Sequence, residues 1–398
     1  MSRLIKPTTL VTFTELIEKL QAGEKLTHIN LSHRDIGNIG VKLLIKALEN
    51  NETVTHINLH DNDIADNGAK MIAKFLQNNR TITQIDISNN NIGYMGMYAL
   101  AKVLENNNTV THMDLCYNKI ADKGANRFAE ALKINNKLCQ IQLAANNIGS
   151  KGAISLAEGL EYNDNITKIN LSENRIKSEG GEALAKVLTY NKSVDYIDIA
   201  YTNIGLEGIC SLGTMIKYNN AISYINLAGN YIGVKEAEQL SKALKCNKTI
   251  KHINLADSNI GYKEVGELVK ALETNHTLTT IDLKYNNIGD YGAILLAQFL
   301  ENNNTIQRIN LKLSFIGDDG LMLLLKVLEI NRSITQMNLS YNNISNNGVI
   351  ELVRILEANK IISEIIIDRK SIENSDISPK VSELLIEALE NHNKRLEA

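Results

Sequence analysis

Cysteine is scarce: Cys116, Cys139, Cys210 and Cys246 are the 4 in 398 residues, and their scattered placement does not make a disulfide framework. A reducing setting is expected. There is no run of about 18 apolar residues, so no membrane-spanning helix is predicted. The opening stretch MSRLIKPTTLVTFTELIEKL lacks both a continuous apolar segment and a small-residue cleavage site, and no signal peptide is expected. Charge of one sign is also missing. A formal net charge of -3 excludes nucleic-acid binding driven by bulk electrostatics. Catalytic signatures are absent too: no Gly-x-Ser-x-Gly, no phosphate-binding Gly-Lys-Ser/Thr loop, and no Cys paired with a positioned His. The expected protein is therefore not an enzyme and needs no cofactor.

What the sequence has is repetition. Leu26 to Ile36 reads LTHINLSHRDI, and the pattern returns at residues 54, 82, 110, 138, 166, 194, 222, 250, 278, 306, 334 and 362, always 28 residues apart. A fixed period of this length marks a stacked-repeat protein, which grows by stacking and not around one closed core. The start of each copy alternates: Ile29 and Leu31 point one way, His28 and Asn30 the other, which is the period of a strand. Further along, Ala153, Leu156, Ala157 and Leu160 recur at helical spacing.

The connections are equally regular. The eleventh position of every copy is Ile, from Ile36 to Ile372. The ninth is Asn in most, as in Asn62, Asn90 and Asn118, where stacked side chains can satisfy backbone groups of neighbouring turns; Arg34, Thr202, Ser258, Ser314 and Lys370 depart from it. A Gly such as Gly96 or Gly152 opens each helix, but Glu236 and Glu264 replace it in two successive copies, predicting an altered helix start there. An Asn follows each helix (Asn79, Asn107, Asn247), with Gly23 after the first. Both residue types tolerate the left-handed conformation that ends a helix. That structural role is preferred over glycosylation for the Asn-x-Thr/Ser triplets beginning at this position.

Residues 1–25 read as a capping half-repeat, with Thr14 placed to cap a short helix carrying Phe13, Leu16, Ile17 and Leu20. Residues 26–372 are the repeat array, and 373–398 a C-terminal capping segment with a helix from Val381 to Glu390, ending at Asn391. In the last copy the outward strand position becomes Ile366, and NSDISPK follows as an insertion. A docked terminal helix, or a second chain, is expected to cover Ile366.

Leu-x-x-Leu-x-Leu-x-x-Asn-x-Ile followed by Gly-x-x-x-Leu-Ala-x-x-Leu-x-x-Asn resembles the ribonuclease-inhibitor type of leucine-rich repeat, over about residues 8–392. The resemblance implies an α/β horseshoe solenoid, with a parallel sheet on the concave face and α-helices on the convex one. It also implies non-covalent binding of a protein partner. Ribonuclease inhibitor is cysteine-dense, and immune sensors carry a nucleotide-binding module before their repeats. The Ran activator ends in a long acidic tail, whereas Lys380, Lys394 and Arg395 interrupt this one. The free-standing, uniform array is most similar to effectors, or effector regulators, of intracellular bacteria. A GTPase activator like the Ran case is the alternative. The resemblance thus implies a cytoplasmic monomer, or one secreted by a non-classical route into a host cytosol, with a host or bacterial protein partner and no membrane or nucleic acid.

In such an architecture the third, fifth and eighth repeat positions line the concave face. Tyr196, Tyr201 and Tyr224 then fall on neighbouring strands with Asp195 and Asp198 beside them, the kind of group that forms a binding hot spot. Tyr117, Tyr285, Tyr341 and Asp257 extend the surface. The acidic row Asp86, Asp114, Asp198 and Asp282 is expected to favour a basic partner. His28, His33, His56, His60 and His112 cluster towards the N-terminus, joined later by His252. Fixed metal-ligand spacings are missing, so no zinc site is predicted; His28, His56 and His112 are retained as candidate, pH-sensitive contacts.

Overall fold

The computed structural model describes residues 12–359, 361–367 and 378–397. Pro7, Lys370, Ile372 and the inserted residues 374–377 lie outside them. The chain divides into two compact units, Met1–Asn170 and Leu171–Ala398.

In the first unit the helices are α1 (Phe13–Gln21), α2 (Gly37–Ala47), α3 (Asp66–Asn78), α4 (Tyr94–Leu104), α5 (Ala121–Leu132) and α6 (Ser150–Leu160). Its strands are β1 (His28–Asn30), β2 (His56–Asn58), β3 (Gln84–Asp86), β4 (His112–Asp114), β5 (Gln140–Gln142) and β6 (Lys168–Asn170). The second unit holds β7 (Tyr196–Asp198), β8 (Tyr224–Asn226), β9 (His252–Asn254), β10 (Thr280–Asp282), β11 (Arg308–Asn310), β12 (Gln336–Asn338) and β13 (Glu364–Ile366). Its helices are α7 (Lys177–Leu188), α8 (Gly205–Tyr218), α9 (Val234–Cys246), α10 (Tyr262–Leu272), α11 (Gly289–Asn302), α12 (Asp318–Ile330), α13 (Asn346–Ala358) and α14 (Pro379–Glu397).

Within each unit the strands pair in parallel with their sequence neighbours. Register advances by one repeat, as in His28↔His56 and Tyr196↔Tyr224. The middle residue of each strand, Ile29 or Ile197, is buried and the two beside it face outward. The architecture is an α/β leucine-rich-repeat solenoid.

The ninth-position Asn acts as anticipated. Asn90 accepts from the N–H groups of Asn62 and Ile64, at 3.1 and 2.8 Å, and donates to the carbonyls of Leu59, Ile87 and Ser88. Buried peptide groups with no ladder of their own are thereby satisfied. The Asn after each helix serves differently from expectation. It is not left-handed: Asn79 has φ -72° and ψ 138°, and only Gly23, with φ +76°, takes the left-handed form after its helix. Asn107 shows why Asn stands there. Its side-chain oxygen accepts from Thr109 and Val110 N–H, and its Nδ2 donates to the Leu76 carbonyl of the preceding repeat at 2.9 Å. The nitrogen that glycosylation would need is already bonded and buried.

Helix starts are built across repeats. Asp66 Oδ1 accepts from Gly93 and Gly96 N–H, and Asp122 Oδ1 does the same for Gly149 and Gly152. Each is an N-cap lent by the repeat before, satisfying donors a helix leaves unpaired. A Cβ at Gly96 would lie 2.8 Å from that Asp66 oxygen, which is why Gly is required. Where Leu206 and Val234 stand in the lending position, Glu236 and Glu264 take the glycine's place: Glu264 Oε2 accepts from Gly261 N–H at 2.9 Å. The predicted irregularity is thus a self-cap.

At the ends, Thr12 and not Thr14 caps α1, in a reciprocal pair with Glu15. A residue just outside the first turn presents its hydroxyl to the free N–H groups, whereas Thr14 is already inside the helix. Helix α14 runs through Asn391 to Glu397 and packs on α13. Ile366 stays 40% exposed in a groove it shares with Leu389 of α14, so that helix flanks it without burying it.

Candidate partner-binding face

The outward strand face of the first unit carries the histidines. The His28 and His56 rings stack at 4.1 Å, and His33 meets His60 edge-on at 4.9 Å. Threonine hydroxyls hold the Nδ1 atoms of His28, His56 and His112 at 2.9, 2.7 and 2.8 Å. Gln84 lies between His56 and His112 in register. Burial, then the neighbouring His28 and His112, push the His56 pKa below its ordinary value. His33 Nδ1 lies 2.6 Å from Asp61 Oδ2. Among the described residues no group of three or more His, Cys, Asp or Glu is arranged to hold a metal. Tyr117, in the left-handed conformation at φ +55°, is half exposed on the same unit.

In the second unit the strand register brings Tyr196, Tyr224 and His252 into one row. The tyrosine rings stack at 4.3 Å and 9°, and His252 follows at 6.1 Å from Tyr224. Burial raises both tyrosine pKa values, with the Asp198 charge adding to each. Asp198 is half-buried. Burial lifts its pKa above the ordinary carboxylate value, against bonds from Ala200 N–H, Asn226 Nδ2 and the Tyr196 hydroxyl. Asp195 is exposed, immediately before β7.

The eighth position is where strand becomes loop, and its backbone is left-handed in Tyr201, Gly229, Asp257, Tyr285 and Tyr341. Tyr201 lies across Gly229 and donates its hydroxyl to Asp257 Oδ2 at 3.1 Å, two repeats away. A Cβ at Gly229 would meet the Tyr201 ring at 2.1 Å, so the missing side chain is the slot that ring occupies. Beneath, Ala200, Ala228 and Ala256 form a buried small-residue floor. Further on, Lys312 Nζ sits 5.7 Å from the Tyr285 ring and 4.7 Å from that of Tyr341, with Lys284 at 5.9 Å from Tyr285. These are cation–π distances.

The anticipated acidic row proves to be largely committed to turns. Asp86, Asp114, Asp198 and Asp282 each accept from the N–H two residues on, and Asp282 lies 3.7 Å from Lys284 Nζ. Asn holds the same bond in other repeats, as Asn226 does with Ala228 N–H. The turn bond orients each carboxylate without removing its charge.

Residues 25–310 match the family described as the MHP1/HER1/GIP3 LRR domain, and residues 331–353 a Leucine Rich repeat family. The chain belongs to the MHP1/HER1/GIP3 LRR domain family. That match contains Tyr196, Tyr201, Tyr224 and Tyr285; Tyr341 falls in the second one. No curated protein matches the chain. Among solved structures, a chain of the yeast Rad7 and Elc1 complex is similar over 92% of this chain and 86% of its own, with TM-score 0.54 and 12% identity. This likeness is one of fold. The leucine-rich repeat-containing protein LegL7 from Legionella pneumophila aligns over 81% of this chain and 94% of its own, with TM-score 0.48 and 19% identity. No helix among the described residues is long and apolar enough to cross a membrane.

Sequence spacing correctly placed Tyr196 beside Tyr224 and His28 beside His56. It missed the Tyr201–Asp257 bridge and the lysines at Tyr285 and Tyr341. Gly229, the glycine among the eighth-position residues, was the available signal for the first. Lys284 and Lys312, following Ala256 at the seventh position, were the signal for the second.

Proposed function

We propose that this leucine-rich-repeat scaffold is a non-enzymatic protein that binds a partner protein on the outward strand face of its second unit. Tyr196, Tyr201 and Tyr224 form the centre, and Asp195, Asp198, Asp257, Tyr285 and Tyr341 the margin. The observation carrying this reading is the stacked pair Tyr196–Tyr224, half-buried with rings 4.3 Å apart on a sheet face whose other outward residues from β7 to β12 are polar. Rigid aromatic rings bring large contact area at low entropic cost, the character of hot-spot residues. Tyr117, His28, His56 and His112 form a second contact region on the first unit.

The test begins with affinity capture and mass spectrometry, followed by calorimetry on the purified pair. Tyr196→Ala and Tyr224→Ala together should weaken binding by about 2 kcal/mol or more, about thirty-fold. Unchanged affinity overturns the tyrosine centre.

Two narrower readings rest on the ribonuclease-inhibitor-type resemblance. An effector, or effector regulator, of an intracellular bacterium acting in a host cytosol requires the captured partner to be a host protein or another effector. A GTPase activator requires accelerated GTP hydrolysis by a small GTPase, and a panel showing none removes it. The scaffold reading needs no cofactor, nucleic acid or membrane.

A further inference from the structure

We propose that the helix-to-strand rim of the second unit, where α7, α8 and α9 end, docks a short acidic segment of a partner protein. This surface lies apart from the tyrosine face and does not depend on that reading.

The first support is charge. Lys192, Lys217, Lys245, Lys248 and Lys251 are all exposed on this rim. Over residues 187–195, 215–223 and 243–251 they face one carboxylate, Asp195. Among the described residues none of the five forms an ion pair. One turn deeper, Lys186 and Lys242 offset Glu182 and Glu238, with Lys242 Nζ 2.7 Å from Glu238. Glu179, Glu207 and Glu236 stand in the first turns of the same helices, about 15 Å away along the axis. With Glu273, at the end of α10, also counted at full charge, the lysines still outnumber the carboxylates. His252, next to Lys251, registers the field: burial, then Arg308 and Lys251, lower its pKa.

The second support is that the fold does not ask for these residues. Helix ends favour cations, yet Glu273, Glu301 and Glu329 take the place of Lys217 and Lys245 in the next three helices. Thr274 and Asn302 likewise stand where Tyr190 and Tyr218 are 82% and 57% exposed. Lys251 replaces a hydroxyl that Ser223, Thr279 and Thr335 each donate to a carbonyl of the repeat before. A supporting bond is given up there for a free charge.

The third is extent. Neighbouring helices pack about 10 Å apart, so the three ends span ~20 Å. An extended segment of about six residues covers that distance. The glutamates at the next three helix ends confine an anion to it, and a nucleic-acid strand continuing along the rim would run onto them. A short run of Asp or Glu stays on the lysines, with Tyr190 and Tyr218 open to its apolar side chains.

The test titrates the full chain into a fluorescein-labelled peptide of about six Glu around a central Leu, its Lys counterpart, and a labelled oligo-dT of matching charge, read by anisotropy. The acidic peptide should bind at least ~10-fold tighter than either of the others. Lys217→Glu/Lys245→Glu, which places Glu where later helices already carry it, should keep the thermal transition and abolish the preference. Lys217→Gln/Lys245→Gln should weaken acidic-peptide binding ~3-fold or more. Tyr190→Ser/Tyr218→Ser should weaken it similarly, with Tyr196→Ala/Tyr224→Ala leaving it unchanged. Equal binding of both peptides, or affinity unchanged in the Gln variant, overturns the proposal. So does an equal loss with Lys235→Glu/Lys263→Glu, at the opposite ends of α9 and α10, because net charge alone would then be responsible. Oligo-dT binding as tight as the acidic peptide's, and lost in the same variants, overturns it in favour of a nucleic acid.

Discussion

Replacing Gly229 by Ala tests how the tyrosine face is assembled. The new Cβ would fall 2.1 Å from Tyr201 Cδ1, with Cε1 and Cγ at 2.3 and 2.5 Å, so the ring must leave. Its departure breaks the hydroxyl bond to Asp257, worth roughly 0.5–1 kcal/mol at an exposed site. Holding an Ala in the left-handed conformation, here φ +66°, costs a further ~1 kcal/mol. Ala145 at φ +51° shows that the eighth position accepts Ala at that cost. The sum is about 2 kcal/mol, localised to these repeats, and repeat arrays need not unfold as one unit. Hydrogen exchange of the Tyr201 and Gly229 amides, which donate to the Ala228 and Ala256 carbonyls, is therefore the assay. Tyrosine absorbance titration supplies a second readout. Burial, then the bond to Asp257, hold the Tyr201 pKa above its ordinary value; release should lower it towards ~10. On a Tyr201→Ala background, Gly229→Ala should retain only the backbone cost of ~1 kcal/mol. Unchanged exchange and titration in the single variant, or equal costs on both backgrounds, would refute the slot.

Asn107→Ala strands the Leu76 carbonyl and the Thr109 and Val110 N–H groups in a buried connection, and should cost about 2–4 kcal/mol by urea unfolding or local exchange. Asp122→Ala uncaps the next helix by removing the acceptor for Gly149 and Gly152, costing ~1 kcal/mol and raising exchange at those two amides. The folded protein resists protonating His56, whose pKa is lowered by burial and then by His28 and His112. Stability should accordingly fall as pH drops through the unfolded histidine value near ~6.5, and the loss is complete below the folded pKa. His56→Gln should flatten that decline in thermal melts between about pH 7 and 5. His252, lowered by burial and then by Arg308 and Lys251, leaves a residual slope that His252→Gln removes.

Local patterns were legible from the letters alone. Alternation along LTHINL sends Ile29 inward and His28 and Asn30 outward, because strand geometry settles facing within two residues. The constant period of 28 sets His28 beside His56 and Tyr196 beside Tyr224, since every repeat adds one strand. Helical spacing buries Leu156 and Leu160 for the same reason. Even the Glu236 and Glu264 departures showed that something at the helix start had changed.

What the letters did not show is where polar side chains reach. Asn79 was assigned a left-handed backbone because that suits a helix end read in isolation. In the stack an Asn there is more valuable extended, as Asn107 shows by bonding a carbonyl 31 residues back. Asp66 looks like an ordinary first-turn acid, yet its carboxylate caps a helix starting 28 residues later. Tyr201 reaches Asp257 across 56 residues because Gly229 leaves room. The sequence alone determined the repeat, its facing and its neighbours, all of which follow from short-range periodicity. Only the tertiary structure decided how each repeat's polar groups complete the next, since those bonds depend on distances that exist once the repeats are stacked.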